Sequence, residues 1–353
     1  MRNKFLFIYV ITCLISLQGF GQKNGKKYTI RTVAFYNLEN LFDTINNPTT
    51  YDDDRTPTGK DHYTSKVYWD KIDKLSKVIS EIGREKAKNS PVLLGVAEIE
   101  NKEVLEDLAN SKRLKRKNYG VIHFDSPDRR GVDVALLYQK KYFSPVDYKN
   151  YELKLWGDDG RRIYTRDQLL VKGYLDDELV YVIVNHWPSR RGGEKRSSPL
   201  REKAAALTKK IIDEIYEDEE DAKIMIMGDF NDDPNNKSIK NVLGAQKSKK
   251  VDDEEDLYNP FYKMYEQGMS TLGYRDNINL FDQIIISGSL IPEGKDFDDY
   301  SFYKAGIFNP SYLTNSKGRY KGYPFRSYSF NNYTGGYSDH YPVYVYLIKE
   351  IED

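Results

Sequence analysis

Residues 225–232, MIMGDFND, join a short apolar run directly to acidic and amide side chains. The run from Met225 to Met227 has the length and composition of a buried β-strand. Asp229 and Asn231 follow it at once, and in open α/β sheets ligand sites lie beyond the strand ends. The stretch therefore predicts an α/β fold with a functional site at one edge of its sheet.

Four more apolar runs lead into a carboxylate, amide or imidazole in the same way. They are Val33–Tyr36 before Asn37 and Glu39, Leu93–Ala97 before Glu98, Val182–Val184 before Asn185 and His186, and Ile278–Phe281 before Asp282. If these strands share one end, their polar side chains converge there. Converging buried carboxylates repel one another and lose hydration, which is unfavourable unless a cation or a proton compensates.

A hard divalent cation with oxygen ligands meets this requirement. Glu39, Glu98 and Asp339 are the candidate acidic ligands, and Asn37 and Asn231 are candidate neutral oxygen donors. Such an oxygen-rich set suits magnesium or manganese, with calcium as the candidate for a structural ion.

Two of the four histidines belong to this pattern. His186 ends a predicted strand, and His340 follows Asp339 after a glycine-containing turn. A carboxylate partner fixes the tautomer of an imidazole and raises its basicity. Because adjacent side chains point apart, the partner of His340 is expected from elsewhere, with Asp282 as the candidate. The other two histidines lack such a context and are interpreted as ordinary core or surface residues.

Apolar β-branched runs alternate with two amphipathic helices, which is typical of an α/β protein, and the strand-rich C-terminal part favours a mixed sheet. The predicted helices span 69–81 and 200–216, where apolar residues recur at helical spacing. The predicted strands are 32–36, 92–97, 134–138, 169–173, 180–185, 224–227, 283–287 and 343–347. Two polar stretches, 46–62 and 300–337, are predicted loops. One domain is expected from about residue 25 to residue 353.

The first residues predict export. A short basic start, an apolar run at Phe5–Leu17 and small residues before Gln22 form the layout of a signal peptide over residues 1–21. The run is shorter than the roughly 20 apolar residues of a membrane span, although an uncleaved anchor is the alternative. Cleavage would also remove Cys13, the only cysteine, and so exclude disulfides, zinc thiolates and a cysteine nucleophile. Periplasm, outer membrane and medium all stay open as destinations.

The motifs together resemble the endonuclease/exonuclease/phosphatase superfamily, which includes deoxyribonuclease I, apurinic endonucleases, sphingomyelinases and inositol polyphosphate 5-phosphatases. The similarity runs from about Thr32 to the C-terminus and rests on FYNLENLFD (35–43), LLGVAEIEN (93–101), GDFND (228–232), LFDQIIIS (280–287) and GGYSDHYPV (335–343). VNHWPS (184–189) places His186 where deoxyribonuclease I and the sphingomyelinases carry a second catalytic histidine. The segment around Asp282 lacks the tryptophan and arginine of the 5-phosphatases, so an inositol phosphate substrate is disfavoured.

The resemblance implies a four-layered α/β sandwich, in which two mixed β-sheets pack face to face and helices flank them. It also implies in-line attack of water on a phosphodiester, with the family roles falling on residues of the quoted motifs. These are Glu98 with Glu39 or Asp339 as metal ligands; His340, oriented by Asp282, or else Asp229 as the base; and Asn37, Asn231 and His186 as donors to the phosphate oxygens. Arg166 is similar in position to a phosphate-contacting arginine of deoxyribonuclease I, with a structural salt bridge as the alternative.

Basic and acidic residues are equal in number, 54 each, so attraction to a polyanion must come from local patches. Arg190 and Arg191 directly follow VNHWPS and are predicted to contact substrate, with a solvated loop as the alternative. The basic cluster at 112–117 is interpreted as solvated surface. Tyrosines within 300–337 could stack on bases, but packing of the loop itself is the favoured interpretation.

The leading hypothesis is an exported, nonspecific endonuclease acting on DNA, with RNA also open as a substrate. A phospholipid phosphodiesterase of the sphingomyelinase kind is the alternative, and it needs an exposed apolar loop that the sequence does not reveal. A catalytically inactive binding scaffold is disfavoured, because every matched position carries a competent residue. The mature chain is expected to be a monomer without a stable protein partner or a membrane span.

Overall fold

The computed structural model describes residues 26–250, 253–292, 294 and 297–351, so the predicted signal peptide and Cys13 lie outside the described residues. The strands are β1 (Lys27–Leu41), β2 (Leu93–Ile99), β3 (Tyr119–His123), β4 (Asp133–Gln139), β5 (Phe143–Tyr151), β6 (Leu155–Trp156), β7 (Arg162–Ile163), β8 (Gln168–Leu175), β9 (Glu178–His186), β10 (Ile224–Asp229), β11 (Leu257–Tyr258), β12 (Leu272–Tyr274), β13 (Asn277–Asn279), β14 (Asp282–Ser287), β15 (Ser301–Ile307), β16 (Tyr328–Ser329), β17 (Asn332–Tyr333) and β18 (Val343–Ile351). The helices are α1 (Ser65–Glu81), α2 (Arg84–Ala87), α3 (Lys102–Ala109), α4 (Glu194–Asp218) and α5 (Phe261–Glu266).

Two six-stranded mixed sheets form the centre of the molecule, in the orders β15-β18-β1-β2-β4-β3 and β11-β14-β10-β9-β8-β5. Each sheet contains one parallel pair, β1 with β2 and β9 with β10, and the neighbours of each pair run antiparallel. The parallel strands of a sheet therefore end at the same edge. A hydrogen bond from Asn37 Nδ2 to Asp229 Oδ2, 3.1 Å long, joins the two edges, so the polar residues at these strand ends converge.

The second sheet sends alternate side chains into two different cores. Val182 and Val184 pack toward the first sheet, whereas Tyr181 and Ile183 pack with Ile211 of α4. This division follows from the two-residue period of a strand. A strand that is buried on both faces has an unbroken apolar sequence, which explains the continuous runs that precede the polar junctions.

Amphipathic helices cover the outer face of each sheet. The α1 helix begins after Thr64, whose hydroxyl accepts a hydrogen bond from the Val67 amide at 3.5 Å, and it buries Ile72, Leu75 and Val78 in the core of the first sheet. The α4 helix covers the second sheet in the same manner. The predicted four-layered α/β sandwich of two mixed sheets with flanking helices is confirmed. Among the described residues no helix is long and apolar enough to cross a membrane.

Two details of the predicted elements are wrong. The stretch 300–337 contains an edge strand, β15, which was missed because its exposed face carries Tyr303 and Lys304 and its aliphatic content is low. Ile278 to Phe281 is not a strand that leads into Asp282: the short β13 ends at Asn279, and Asp282 instead begins β14. It still reaches the site edge, because an antiparallel strand starts where its neighbour ends, and Asp282 pairs directly with Asp229.

A buried ion pair attaches α4 to the loop after β10. Arg201 has no exposed surface, and its Nε lies 2.7 Å from Asp232 Oδ1. Arg190 also lies 3.3 Å from Asp232 Oδ1, but removing Arg201 takes away the closer and fully buried of the two cations, and a buried charge that loses its partner is destabilising. We expect Arg201→Met to lower the free energy of unfolding, measured by urea denaturation, by about 3 kcal/mol. Arg196→Met, which removes an exposed arginine of the same helix, should change it by less than about 0.5 kcal/mol. Equal losses in the two variants would contradict a stabilising role for the pair.

Candidate active site

The strand ends at the convergent edge carry unusual backbone conformations. Glu39, Asn40, Glu98 and Asn231 all have positive φ angles, between 49° and 59°. Non-glycine residues rarely adopt this left-handed region, and such strain is retained where the surrounding structure fixes it. Gly228 meets a second constraint, since a Cβ there would lie 2.4 Å from the Asn185 carbonyl oxygen. The edge is therefore a tightly specified arrangement rather than a set of loose loop ends.

Asp229 is at the centre of the candidate site. Its Oδ2 accepts a hydrogen bond from Asn37 Nδ2 at 3.1 Å, and its Oδ1 accepts one from the Asn231 amide at 3.0 Å. The same Oδ2 lies 3.6 Å from His186 Nε2 and 3.9 Å from His340 Nε2. The structure thus brings together residues from both sheets that the sequence placed in separate motifs.

His340 is held by the predicted partner, Asp282. Its Nδ1 lies 2.7 Å from Asp282 Oδ2, and its backbone amide donates to Ser338 Oγ at 3.1 Å. Burial alone would lower the pKa of His340, but the carboxylates of Asp282 and Asp229 outweigh it and raise the pKa well above the usual histidine value. The imidazole is therefore positively charged at neutral pH.

His186 differs from His340 in its charge. Burial, together with the charges of Arg166, Arg130 and His340, holds the pKa of His186 well below the usual value, so this imidazole is neutral. Its Nε2 lies 3.9 Å from Glu98 Oε1, and its Nδ1 is buried without a hydrogen-bond partner among the described residues. One site therefore contains a charged and a neutral imidazole.

The site fits a bound cation. Burial, with a smaller contribution from Asp282, raises the pKa of Asp229 to about 7, and burial with the charge of Asp339 raises the pKa of Glu39 to about 7. Keeping both groups charged is therefore unfavourable without a compensating cation. In addition, Asp282 Oδ1 is buried without a hydrogen-bond partner among the described residues. The Asp229 and Asp282 carboxylates and the His340 imidazole lie within 4.8 Å of one another, and with His340 charged only the two carboxylates are free to act as ligands. A divalent cation with oxygen ligands would compensate these charges.

The three predicted metal ligands, Glu39, Glu98 and Asp339, lie farther apart than the aspartate–histidine cluster of Asp229, Asp282 and His340. Glu39 is buried, and its carboxylate oxygens accept hydrogen bonds from the backbone amides of Ser327 (2.6 Å) and Tyr328 (3.3 Å). Asp339 pairs with Arg326 at 2.5 Å. Within the described part of the chain, Glu39 and Asp339 do not form with Glu98 a group as close as the aspartate–histidine cluster. Their role as ligands stays a prediction.

Two cationic residues at this site were missed from the sequence. Lys71 of α1 is fully buried and donates to the Glu39 carbonyl oxygen and, at 2.9 Å, to Ser327 Oγ. A signal for it exists, because Lys71 lies three residues after Tyr68 and four before Leu75 on the apolar face of the helix. Arg326, by contrast, lies in a polar loop where no spacing distinguishes it.

The three arginines predicted to bind substrate lie in different environments. Arg166 is buried, pairs with Asp128 at 3.2 Å and donates to the Trp187 carbonyl oxygen at 2.5 Å. These contacts match a structural salt bridge, which was the alternative to a phosphate contact for Arg166. Arg190 donates to protein groups, including the Asn231 carbonyl oxygen at 2.9 Å and carboxylates of the following loop. Arg191 alone is exposed, and contact of these arginines with a substrate stays a prediction.

The family model of the Endonuclease/Exonuclease/phosphatase family matches residues 32–349, so the chain belongs to this family. The match covers every motif quoted above, and membership supports a hydrolase that acts on phosphoester bonds. A search of curated proteins gives no match.

Solved structures agree on the fold. A humanized D. rerio TDP2 with 14 mutations is 12% identical with a TM-score of 0.54, over 90% of this chain and 98% of that one. A mannosyl-6-phosphatase from Bacteroides thetaiotaomicron is 17% identical with a TM-score of 0.54, over 90% and 99%. Another endonuclease/exonuclease/phosphatase family protein from that organism is 16% identical with a TM-score of 0.53, over 92% and 100%. At such identities these structures establish the architecture alone.

The Asp282–His340 pair predicts a specific titration. Since Asp282 favours the charged imidazole, Asp282→Asn should lower the pKa of His340, followed by NMR of the histidine ring signals. We expect kcat on a phosphodiester to fall at least about 100-fold in the same variant. Asp276→Asn, at an exposed aspartate paired with Arg319, is the matched control and should alter neither quantity. An unchanged His340 titration in Asp282→Asn would disprove the coupling.

Proposed function

We propose that the protein is a metal-dependent phosphodiesterase that cleaves nucleic acids, with DNA as its main substrate. The observation that carries the proposal is the buried Asp282–His340 pair, which points its outer imidazole nitrogen toward Asp229 at the edge where both sheets end. A charged imidazole can stabilise a pentacoordinate phosphate. A hydrogen-bonded carboxylate beside it can accept a proton from water.

The charges of these groups favour one of the two open assignments of the base. A protonated His340 has no free nitrogen to accept a proton. Asp229 accepts hydrogen bonds from Asn37 and Asn231, and burial raises its pKa to about 7, near the value that suits a general base. We therefore assign water activation to Asp229 and stabilisation of negative charge on the phosphate oxygens to His340. Neutral His186 would donate a hydrogen bond to another phosphate oxygen.

The divalent ion, when bound, would neutralise charge on the phosphate. Glu98, with Glu39 or Asp339, is the set that would hold it, and magnesium or manganese suits these oxygen ligands. The residues themselves position the phosphate, because Asn37 and Asn231 fix the Asp229 carboxylate from two directions.

A row of two exposed aromatic rings with arginines stacked on them, of which Arg129 is exposed and Arg162 pairs with Glu152 at 2.7 Å, supports nucleic acid as the substrate. Arg162 stacks on both Trp156 (5.2 Å) and Tyr164 (5.8 Å), and Arg129 stacks on the Tyr164 ring at 5.2 Å. Trp156 is 49% exposed and Tyr164 is 45% exposed. Arg129 precedes Arg130, whose charge reaches the candidate active site. Aromatic faces bind bases and guanidinium groups bind phosphates, which is the chemistry of a single-strand groove.

The row predicts that affinity for the substrate depends on the length of the nucleic acid strand. Trp156→Ala should raise KM about tenfold for a single-stranded oligonucleotide, because one stacked base loses its platform. KM for bis(p-nitrophenyl) phosphate, which has no neighbouring nucleotides to lie along the row, should not change. Tyr303→Ala is the matched control, since Tyr303 is 42% exposed on the edge strand β15 and Lys86 Nζ lies 5.6 Å from the centre of its ring. Equal effects of both substitutions on the oligonucleotide would argue against a groove along the row.

The activity itself is tested with purified protein, Mg²⁺ or Mn²⁺ and plasmid DNA. We expect degradation of the plasmid, its abolition by EDTA, and a loss of at least about 1000-fold in kcat for Asp229→Ala or His340→Ala. Full activity without divalent ions would refute the metal dependence, and a loss below about tenfold would refute the two catalytic assignments. Turnover of bis(p-nitrophenyl) phosphate with intact plasmid would keep a phosphodiesterase but reject the nuclease.

A lipid phosphodiesterase is the second candidate, and one observation favours it. Phe330 is 86% exposed at the tip between β16 and β17, and the same hairpin follows Ser327, whose amide contacts Glu39. An apolar tip beside the site is the feature that this alternative requires. Sphingomyelin vesicles in the same assay separate the two candidates, because their hydrolysis with intact plasmid would favour the lipid substrate.

A further inference from the structure

Arg326 places a positive charge between two of the predicted metal ligands. Its Nη2 lies 2.5 Å from Asp339 Oδ2, and its Nε lies 3.8 Å from Glu39 Oε1. The two carboxylates belong to different motifs, at the end of β1 and before β18. Like charges brought this close require compensation, and the guanidinium supplies it.

The other nearby cation cannot change its partners in the same way. Lys71 is fully buried and donates to the Glu39 carbonyl oxygen and to Ser327 Oγ. The Arg326 side chain is 46% exposed, so its guanidinium can reach water and other partners. One cation is therefore fixed behind Glu39, and the other stands at the solvent side of the site.

The backbone around Arg326 is held in place, whereas nearly half of the side chain is exposed. Glu39 Oε2 accepts the Ser327 amide at 2.6 Å, and the Tyr337 amide donates to the Phe325 carbonyl oxygen at 2.7 Å. Gly336 packs so closely that a Cβ there would lie 2.0 Å from the Arg326 carbonyl oxygen. Any change of partner by Arg326 is thus a side-chain rotation rather than a loop movement.

We propose that Arg326 is the resident counter-cation of the metal-binding carboxylates. It pairs with Asp339 and lies beside Glu39, would release these carboxylates to a divalent ion, and would then bind a phosphate oxygen of the substrate. The planar guanidinium suits both partners, since it pairs bidentately with carboxylate and with phosphate. The inference rests on the proposed function, because it assumes that these carboxylates bind the ion.

The exchange predicts that removing the arginine strengthens ion binding. We expect Arg326→Gln to bind Mn²⁺ about tenfold more tightly than the wild-type protein in isothermal titration calorimetry, because the ion no longer competes with an ion pair. If Arg326 merely positioned Asp339 as a ligand, the same substitution would weaken binding. Arg319→Gln, which removes an exposed arginine paired with Asp276, is the control for loss of charge and should leave the affinity unchanged.

Kinetics with saturating Mn²⁺ test the second half of the exchange. Arg326→Gln should raise KM for bis(p-nitrophenyl) phosphate about tenfold and lower kcat much less, because a ground-state phosphate contact is lost. Arg326→Lys keeps the charge without the planar fork. It should restore competition with Mn²⁺ but reverse only part of the rise in KM. Arg319→Gln should alter neither constant.

Thermal melting supplies a readout that does not depend on turnover. Without Arg326 the carboxylates lose their counter-cation, so Arg326→Gln should melt lower than wild type in EDTA and gain more from added Mn²⁺. Unchanged or weaker Mn²⁺ binding by Arg326→Gln, or an unchanged KM, overturns the exchange. Failure of the wild-type protein to bind Mn²⁺ would overturn the proposed metal-dependent phosphodiesterase activity itself. Wild-type binding without the expected change in Arg326→Gln would overturn the exchange alone.

Discussion

Mutual repulsion of carboxylates is the constraint on which the rest of this structure depends. The parallel strand pair of each sheet ends at one edge, and antiparallel neighbours begin there, so five acidic side chains meet where the sheets touch. They are Glu39, Glu98, Asp229, Asp282 and Asp339. Burial removes the water that would screen Glu39, Asp229 and Asp282, which makes compensation of these charges the main electrostatic problem of the site. The apolar cores on both faces of the second sheet supply the stability that keeps this edge in place.

Compensation is achieved differently at each acidic group. Asp282 has His340, whose raised pKa provides a positive charge within 2.7 Å, whereas Asp229 has the amide of Asn37 and a backbone donor. His186 stays neutral, because burial and neighbouring cations lower its pKa. Similar residue types thus acquire opposite protonation states from their surroundings, which is how a single site obtains both a charge donor and a proton acceptor.

The sequence predicted those parts of the site that depend on local order. Asp229 was identifiable because an apolar strand runs straight into it, and the alternating core explains why that strand shows no polar interruption. Asp282 was assigned correctly as the partner of His340, although the strand was placed before it instead of after it. Such an error is expected, since the edge at which a strand begins depends on pairing with Asp229 across the sheet. Arg326 could not be found at all, because its position near Glu39 is fixed by long-range hydrogen bonds of a loop with no periodicity.

The two cations beside Glu39 show how burial separates structural charge from exchangeable charge. Lys71 is enclosed by α1, and releasing its ammonium group from the Glu39 carbonyl oxygen would leave a buried charge unpaired. The guanidinium of Arg326 faces no such cost, because nearly half of its side chain is in contact with water. Arg326 would therefore give way to a divalent ion, whereas Lys71 would keep its place. The carboxylates would then remain compensated before the ion binds and after it, and the released arginine would be available to a phosphate oxygen of the substrate.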